Sequence, residues 1–292
     1  MSVPTPPSLQ KVCDAALKLP CAPSLLPRLA LALQSDSSSA QEIERLIALD
    51  PSLAAATLRL ANSASMGRGG VDSVQEAVFR LGAKEIYRLA ALALVGRWET
   101  SLGPDVRWNP GDFSRQALCT AIAVEVLCGT TERLDPQLGY TAGLVCDLGK
   151  LALAHSCGEF YPAVRTCVEQ TKCNWEQAER NILGYNHADV GTRLLKAWSF
   201  PPLFVMAVEH QFNPAAAPVE ALPLLAHLHA AKYLATAMGP GVLEEAFLQT
   251  MHGGFLCEWG FNSEMLEAAM PIVLEKARAR LGEKLTVGHI SV

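Results

Sequence analysis

The sequence predicts an all-α protein. Ala and Leu dominate its apolar stretches, aromatic residues reach only 7%, and no run alternates β-branched with polar residues as a half-buried strand requires. Signals that start helices then recur at short intervals along the chain.

Element by element, the pattern gives helices at 9–19, 24–34, 40–49, 51–63, 73–81, 83–99, 112–128, 135–156, 159–172, 174–184, 187–198, 201–211, 221–238, 242–251 and 262–281. Ser39 with Glu42, Ser73 with Glu76 and Asn174 with Gln177 have the spacing of a capping box, in which a short polar side chain accepts from an orphan N–H of the first turn. Asp50-Pro51 and Pro201-Pro202 put proline in a first turn, where its missing N–H costs least. Residues of helical spacing then recur every three or four positions: Ile43, Leu46 and Ile47; Leu53, Ala56, Thr57 and Leu60; Leu118, Ala121, Ile122, Glu125 and Val126. Each set covers one helix face, as core packing demands. Asn62-Ser63 and the glycines at 67, 69 and 70 read as a helix end and a turn, because Asn and Gly tolerate left-handed backbone.

The 292 residues, 50% hydrophobic and 18% charged, suffice to bury a large core. Lys and Arg number 24 against 29 Asp and Glu, a net charge of −5, which disfavours nucleic acid and anionic membrane as partners held by bulk charge. The 9 cysteines are odd in number and contain no C-x-x-C pair, a usage suited to a reducing compartment. No export signal opens the chain, and its longest apolar run, Leu89 to Val95, falls far short of the roughly 20 residues a membrane span needs. The expectation is a cytoplasmic protein with no membrane partner.

Residues 143–150, GLVCDLGK, do not make a phosphate-binding loop, since Leu151 stands where a Mg²⁺-binding hydroxyl is required. Nucleophile-elbow, zinc-protease and dinucleotide signatures are absent. On their local context alone, Cys146 reads as a buried thiol, and Asp147 as an acceptor for backbone donors where a helix bends. His187 follows Asn186 at a helix start, and His210 reads as a capping or packing residue near a helix end.

Longer stretches carry more. LIALDPSLAAATLRLANSA (46–64) and SVQEAVFRLGAKEIYRLA (73–90) contain Asp50-Pro51, Asn62-Ser63 and Ala77 with Leu81-Gly82. They resemble the N-terminal part of the HDOD family, the HD-related output domain. FSRQALCTAIAVEVL (113–127), YTAGLVCDLGKLAL (140–153), NHADVGTRLLKAWSFP (186–201) and AVEHQFNP (207–214) are similar, in the same order, to successive helices of the HD-type phosphohydrolase scaffold. The resemblance implies an N-terminal segment 1–19, an HDOD-like domain 20–240 with an N-terminal helical part 20–100 and an HD-like part 111–240, and a helical extension 241–292.

Active HD enzymes hold divalent metals with a His, a His-Asp pair and a distant Asp. The resemblance places those positions on Gln116, Cys146, Asp147 and Lys232, so that only Asp147 retains the ligand type. A neutral amide is a poor ligand, and a lysine ammonium repels the ion. His187 and His210 match further histidines of the metal-binding relatives, with Gln211 where those relatives often carry a second His. Lys232 is expected to stand where a cation's charge would have been and to pair with Asp147.

The implied function is a non-catalytic signalling or regulatory module of bacterial signal transduction, with no metal or other cofactor, binding a separate signalling protein or a small effector. Arg59, Arg80 and Arg88 are contact candidates, since Arg gives multi-donor recognition and is enriched at interface hot spots. Two readings compete. One is a divergent metal-dependent phosphohydrolase acting on nucleotides through Asp147, His187 and His210. The other is a nucleic-acid-binding regulator using the arginine-bearing helices.

Overall fold

The computed structural model describes residues 5–18, 25–34, 39–62, 70–99, 102–109, 111–239 and 252–281, and no strand occurs among them. Two units organise the helices, Cys21–Arg97 and Met1–Pro20 with Trp98–Val292. Helix α1 (Leu9–Leu17) belongs to the larger unit; α2 (Leu25–Gln34), α3 (Ser39–Ala48), α4 (Pro51–Ala61), α5 (Val74–Leu81) and all but the last two residues of α6 (Ala83–Glu99) form the smaller.

In the smaller unit α3 packs on α2, α4 and α5, burying Ile43, Leu46 and Ile47 completely. Three such side chains contribute roughly 1.5 to 3 kcal/mol each. Caps are present at two of the expected starts, Asp50 and Ser73; the side chain of Ser39 lies outside those described. Asp50 Oδ1 accepts from the Leu53 N–H at 3.2 Å to start α4, while its carboxylate also takes the Arg97 guanidinium, with Nη2 at 3.0 Å from Oδ1. Ser73 Oγ accepts from the Glu76 N–H at 3.1 Å. Asn62 does more than end a helix: its Nδ2 donates to Leu58 O at 2.9 Å and Val71 O at 2.8 Å, and its Oδ1 accepts from the Val71 N–H at 2.7 Å. Gly82, at φ 79°, separates α5 from α6.

The larger unit continues with α7 (Asp112–Thr131), α8 (Pro136–Val145), α9 (Leu148–Cys157), α10 (Tyr161–Thr171), α11 (Trp175–Leu183), α12 (His187–Ala197), α13 (Pro202–Glu209), α14 (Leu222–Ala237), α15 (Gly253–Glu258) and α16 (Ser263–Leu281). Helix α7 is its axis, with α8, α14 and α16 packed along it. A Cβ on Gly143 would lie 2.7 Å from Ala121 Cα, so this glycine sets how close α8 comes to α7. Helices α9 and α12 pair, and α1 lies against both. A second cluster gathers Tyr161, Val164 and Trp175 where α10 meets α11, whose start is the expected Asn174–Gln177 capping box.

The single helix expected over 135–156 is broken. Asp147, at φ −110° and ψ 13°, leaves the helical conformation, and α8 and α9 meet there at a corner. Helix α15 was not foreseen, because it opens on Gly253-Gly254; its Leu256 is buried, and Phe255 packs on Trp259. The helix expected at 242–251 lies outside the described residues. No described helix is long and apolar enough to cross a membrane.

Candidate functional site

The corner between α8 and α9 presents Asp147 to α14. Lys232 Nζ donates to Asp147 Oδ1 at 2.7 Å and to Gln211 Oε1 at 2.6 Å, while Lys150 Nζ stands 3.5 Å from Asp147 Oδ2. The side chains of Lys150, Lys232 and Asp147 are only 1%, 11% and 12% exposed. Burial on its own would raise the Asp147 carboxyl, but the fields of Lys150, Lys232 and His187 together with the Lys232 hydrogen bond outweigh it and hold the group well below the usual carboxylate range. A carboxylate thus faces two cations in a nearly dry pocket. This corrects the expected role of Asp147: its side chain makes no hydrogen bond to the α9 backbone.

Beside it, Asn186 caps α12 by accepting from the Ala188 and Asp189 N–H groups at 3.0 and 3.1 Å. His187 then turns inward. Its Nδ1 lies 2.6 Å and its backbone N–H 2.9 Å from Glu179 Oε2, and Glu179 Oε1 accepts from Trp175 Nε1 at 3.0 Å. With Nδ1 turned to the Glu179 carboxylate, Nε2 is the ring nitrogen left facing the interior. That Nε2 is buried and has no hydrogen-bond partner among the described residues. Gly149 brings the α9 backbone against the start of α12; a Cβ there would come within 1.9 Å of His187 O.

Cys146 Sγ donates to Gly143 O at 3.3 Å, and burial pushes the thiol up to about 12, so the group stands as a protonated, buried thiol. Gln116, Cys146 and Asp147 line one cavity of about 10 Å³ with Thr120 and Gly143, room for one water. His210 ends α13 half-buried, its N–H bonded to Met206 O at 3.0 Å. Among the described residues no group of three or more His, Cys, Asp or Glu is placed to hold a metal ion.

The family model of the HDOD domain matches residues 19–214. The chain belongs to the HDOD family. Solved structures agree in fold. An HDOD domain protein of unknown function from Geobacter sulfurreducens is 23% identical and superposes with a TM-score of 0.73, over 96% of this chain and 97% of that one. A provisionally named signal transduction protein from Marinobacter aquaeolei VT8 is 22% identical, with a TM-score of 0.71 over 92% of this chain and 60% of that one. A provisionally named phosphohydrolase from Shewanella amazonensis SB2B is 20% identical, with a TM-score of 0.68 over 96% and 99%. No curated protein matches the sequence.

In this HDOD-family chain the residues carried over from the HD pattern are partly assembled, Lys232 lying beyond the matched residues 19–214. Gln116, Cys146 and Asp147 share a cavity wall, Lys232 pairs with Asp147, and His187 acts on Asp147 through its field. His210 closes its helix instead. Sequence reasoning passed over Lys150 and Glu179, although Glu179 follows Trp175 by one helical turn, the spacing at which an indole N–H and a carboxylate meet. Arg80 pairs with Glu76 at 3.4 Å and Arg88 with Glu85 at 3.5 Å, each within its own helix, and Arg59 is exposed on α4.

Proposed function

We propose that this HDOD domain acts in bacterial signal transduction as a non-catalytic regulatory module that binds a separate signalling protein or a small effector. The observation that carries the reading is the Lys232 ammonium bonded to Asp147 and Gln211, a fixed positive charge at the only position where the HD pattern keeps its carboxylate. A hydrolytic site needs that carboxylate free to hold a cation; here two lysines already neutralise it. Arg59, Arg80 and Arg88 are the proposed protein-contact residues, each able to offer several N–H donors to a partner's carboxylates.

The test is metal content and turnover. The full chain, equilibrated with excess Mn²⁺, Fe²⁺ or Zn²⁺ and desalted, is expected to retain no stoichiometric metal and to hydrolyse neither nitrophenyl phosphodiesters nor nucleotides above background. Near-stoichiometric metal with turnover abolished by Asp147→Ala overturns the reading in favour of a phosphohydrolase.

A further inference from the structure

A cleft of about 420 Å³ opens in the larger unit between the 213–222 segment and α15. That size falls in the range of small-molecule sites, roughly 300 to 1,000 Å³. One wall is aliphatic, with Pro214 and Leu222; the other carries Phe255, Trp259, Glu258 and His252. Phe255 and Trp259 form an aromatic corner, their ring centroids 6.4 Å apart and their planes at 59°. Arg133, which is outside the lining, pins Trp259: its Nη1 donates to Trp259 O at 2.8 Å and its guanidinium sits 5.6 Å from the ring centroid. The corner is therefore set before any ligand arrives.

The polar groups define what fits. Among the described lining residues there is no Lys or Arg, and the one charged side chain is Glu258. The lining therefore supplies no cationic side chain to a phosphate or carboxylate, and Glu258 repels both. His252 Nε2 is buried with no hydrogen-bond partner among the described residues. Burial lowers the basicity of that imidazole against the opposing pull of Glu176, which disfavours a positive charge on it. An unpaired buried nitrogen costs free energy that a ligand group can recover.

We propose that this cleft binds a small organic amine, its apolar ring against Phe255 and Trp259 and its ammonium at the Glu258 carboxylate, with a hydrogen bond available at His252 Nε2. Aromatic faces and a carboxylate attract an ammonium by the same sign of field, and neither attracts an anion. The cleft also touches the centre described above. The His252 ring packs edge-on to His229 at 5.1 Å, His229 is hydrogen-bonded to the Gln211 backbone, and the Gln211 side chain holds Lys232. The inference deepens the effector-binding reading and rests on it for its purpose, while the binding chemistry comes from the cleft alone.

Tryptamine and indole-3-propionate test this, because they share a ring and differ in the sign of the terminal charge. Each is titrated into the full chain while the Trp259 indole N–H resonance, assigned with Trp259→Phe, is followed by NMR. The expected result is a saturable shift with tryptamine, roughly tenfold tighter than with indole-3-propionate. Glu258→Gln should remove most of that preference, and Phe255→Ala should weaken both probes; neither side chain is fully buried, so circular dichroism should remain that of the parent. Absence of a saturable tryptamine shift, equal binding of the two probes, or an unchanged preference in Glu258→Gln overturns the proposal. The metal and turnover assay is independent of all three outcomes, so failure here leaves the non-catalytic reading standing on its own test.

Discussion

Lys232 Nζ lies 2.7 Å from Asp147 Oδ1 and joins α14 to the α8–α9 corner across 85 residues of sequence. Both side chains are close to nine-tenths buried, so removing one leaves the other charge poorly hydrated. Lys150 changes the balance: it remains near Asp147 when Lys232 is lost, whereas loss of Asp147 leaves two cations facing each other. Asp147→Asn is therefore expected to destabilise by about 3 to 5 kcal/mol, and Lys232→Met by less. The double variant should cost less than the sum of the two. Urea unfolding of the four proteins measures this, and strict additivity would remove the pair from the energetics.

Acid should erode stability over two pH intervals. His229 is pushed down to about 3 by burial, with Lys232 and His252 adding to the effect, so it stays neutral in the fold while its unfolded counterpart protonates near pH 6.5. The unfolded state then binds more protons between these limits, and stability falls as pH drops through about 6.5, by up to about 1.4 kcal/mol per pH unit for this histidine. Asp147 acts lower. Its stabilisation is complete above its unfolded value and is lost as pH falls through the depressed folded one. His229→Gln should flatten the stability profile between pH 7 and 5, whereas Asp147→Asn should leave that interval alone and flatten the region below about pH 4. Chemical denaturation at half-unit pH steps reads both.

Gly149→Ala is expected to cost about 3 kcal/mol or more, because the new methyl would land on His187 O and nothing flexible can move aside. Thermal unfolding checks the magnitude. The same change at Gly184, where a Cβ meets nothing within 4 Å but φ is 86°, should cost only the smaller backbone strain.

Asn62→Ala removes an amide that makes hydrogen bonds to Leu58 O, Val71 O and the Val71 N–H. A loss of about 1 to 2 kcal/mol is expected, confined to the Cys21–Arg97 unit. Hydrogen exchange should show faster amides around α4 and α5, with protection in α7 unchanged.

What the sequence disclosed, and what it withheld, follows from the range of each interaction. Capping at Ser73, Asn174 and Asn186 is local, written within three or four residues, and those helix starts are found where the side chains place them. A bend at Asp147 was legible, but not that it separates two helices, because the cause is distant: the carboxylate faces Lys232, and α9 approaches α12 through Gly149. The family pattern allowed Lys232 to be set opposite Asp147, since it supplies a register between remote helices. It could not disclose Lys150, which a helical reading treats as an ordinary surface cation yet which is only 1% exposed. Glu179 was missed for a similar reason, because a buried acid is recognised by its partners Trp175 and His187 and not by its neighbours in the chain.

The ion pair between α8–α9 and α14 also bears on the order in which the domain is assembled. Neither charge gains anything from the other until the helices that carry them have docked, and the entropy of closing that stretch of chain must be met before the contact rewards it. Until then water solvates both groups, and a wrongly seated α14 would strand each in an apolar wall. A seating of α14 that keeps these groups apart forgoes their bonds, so the pair favours the one arrangement in which Asp147, Lys232 and Gln211 meet.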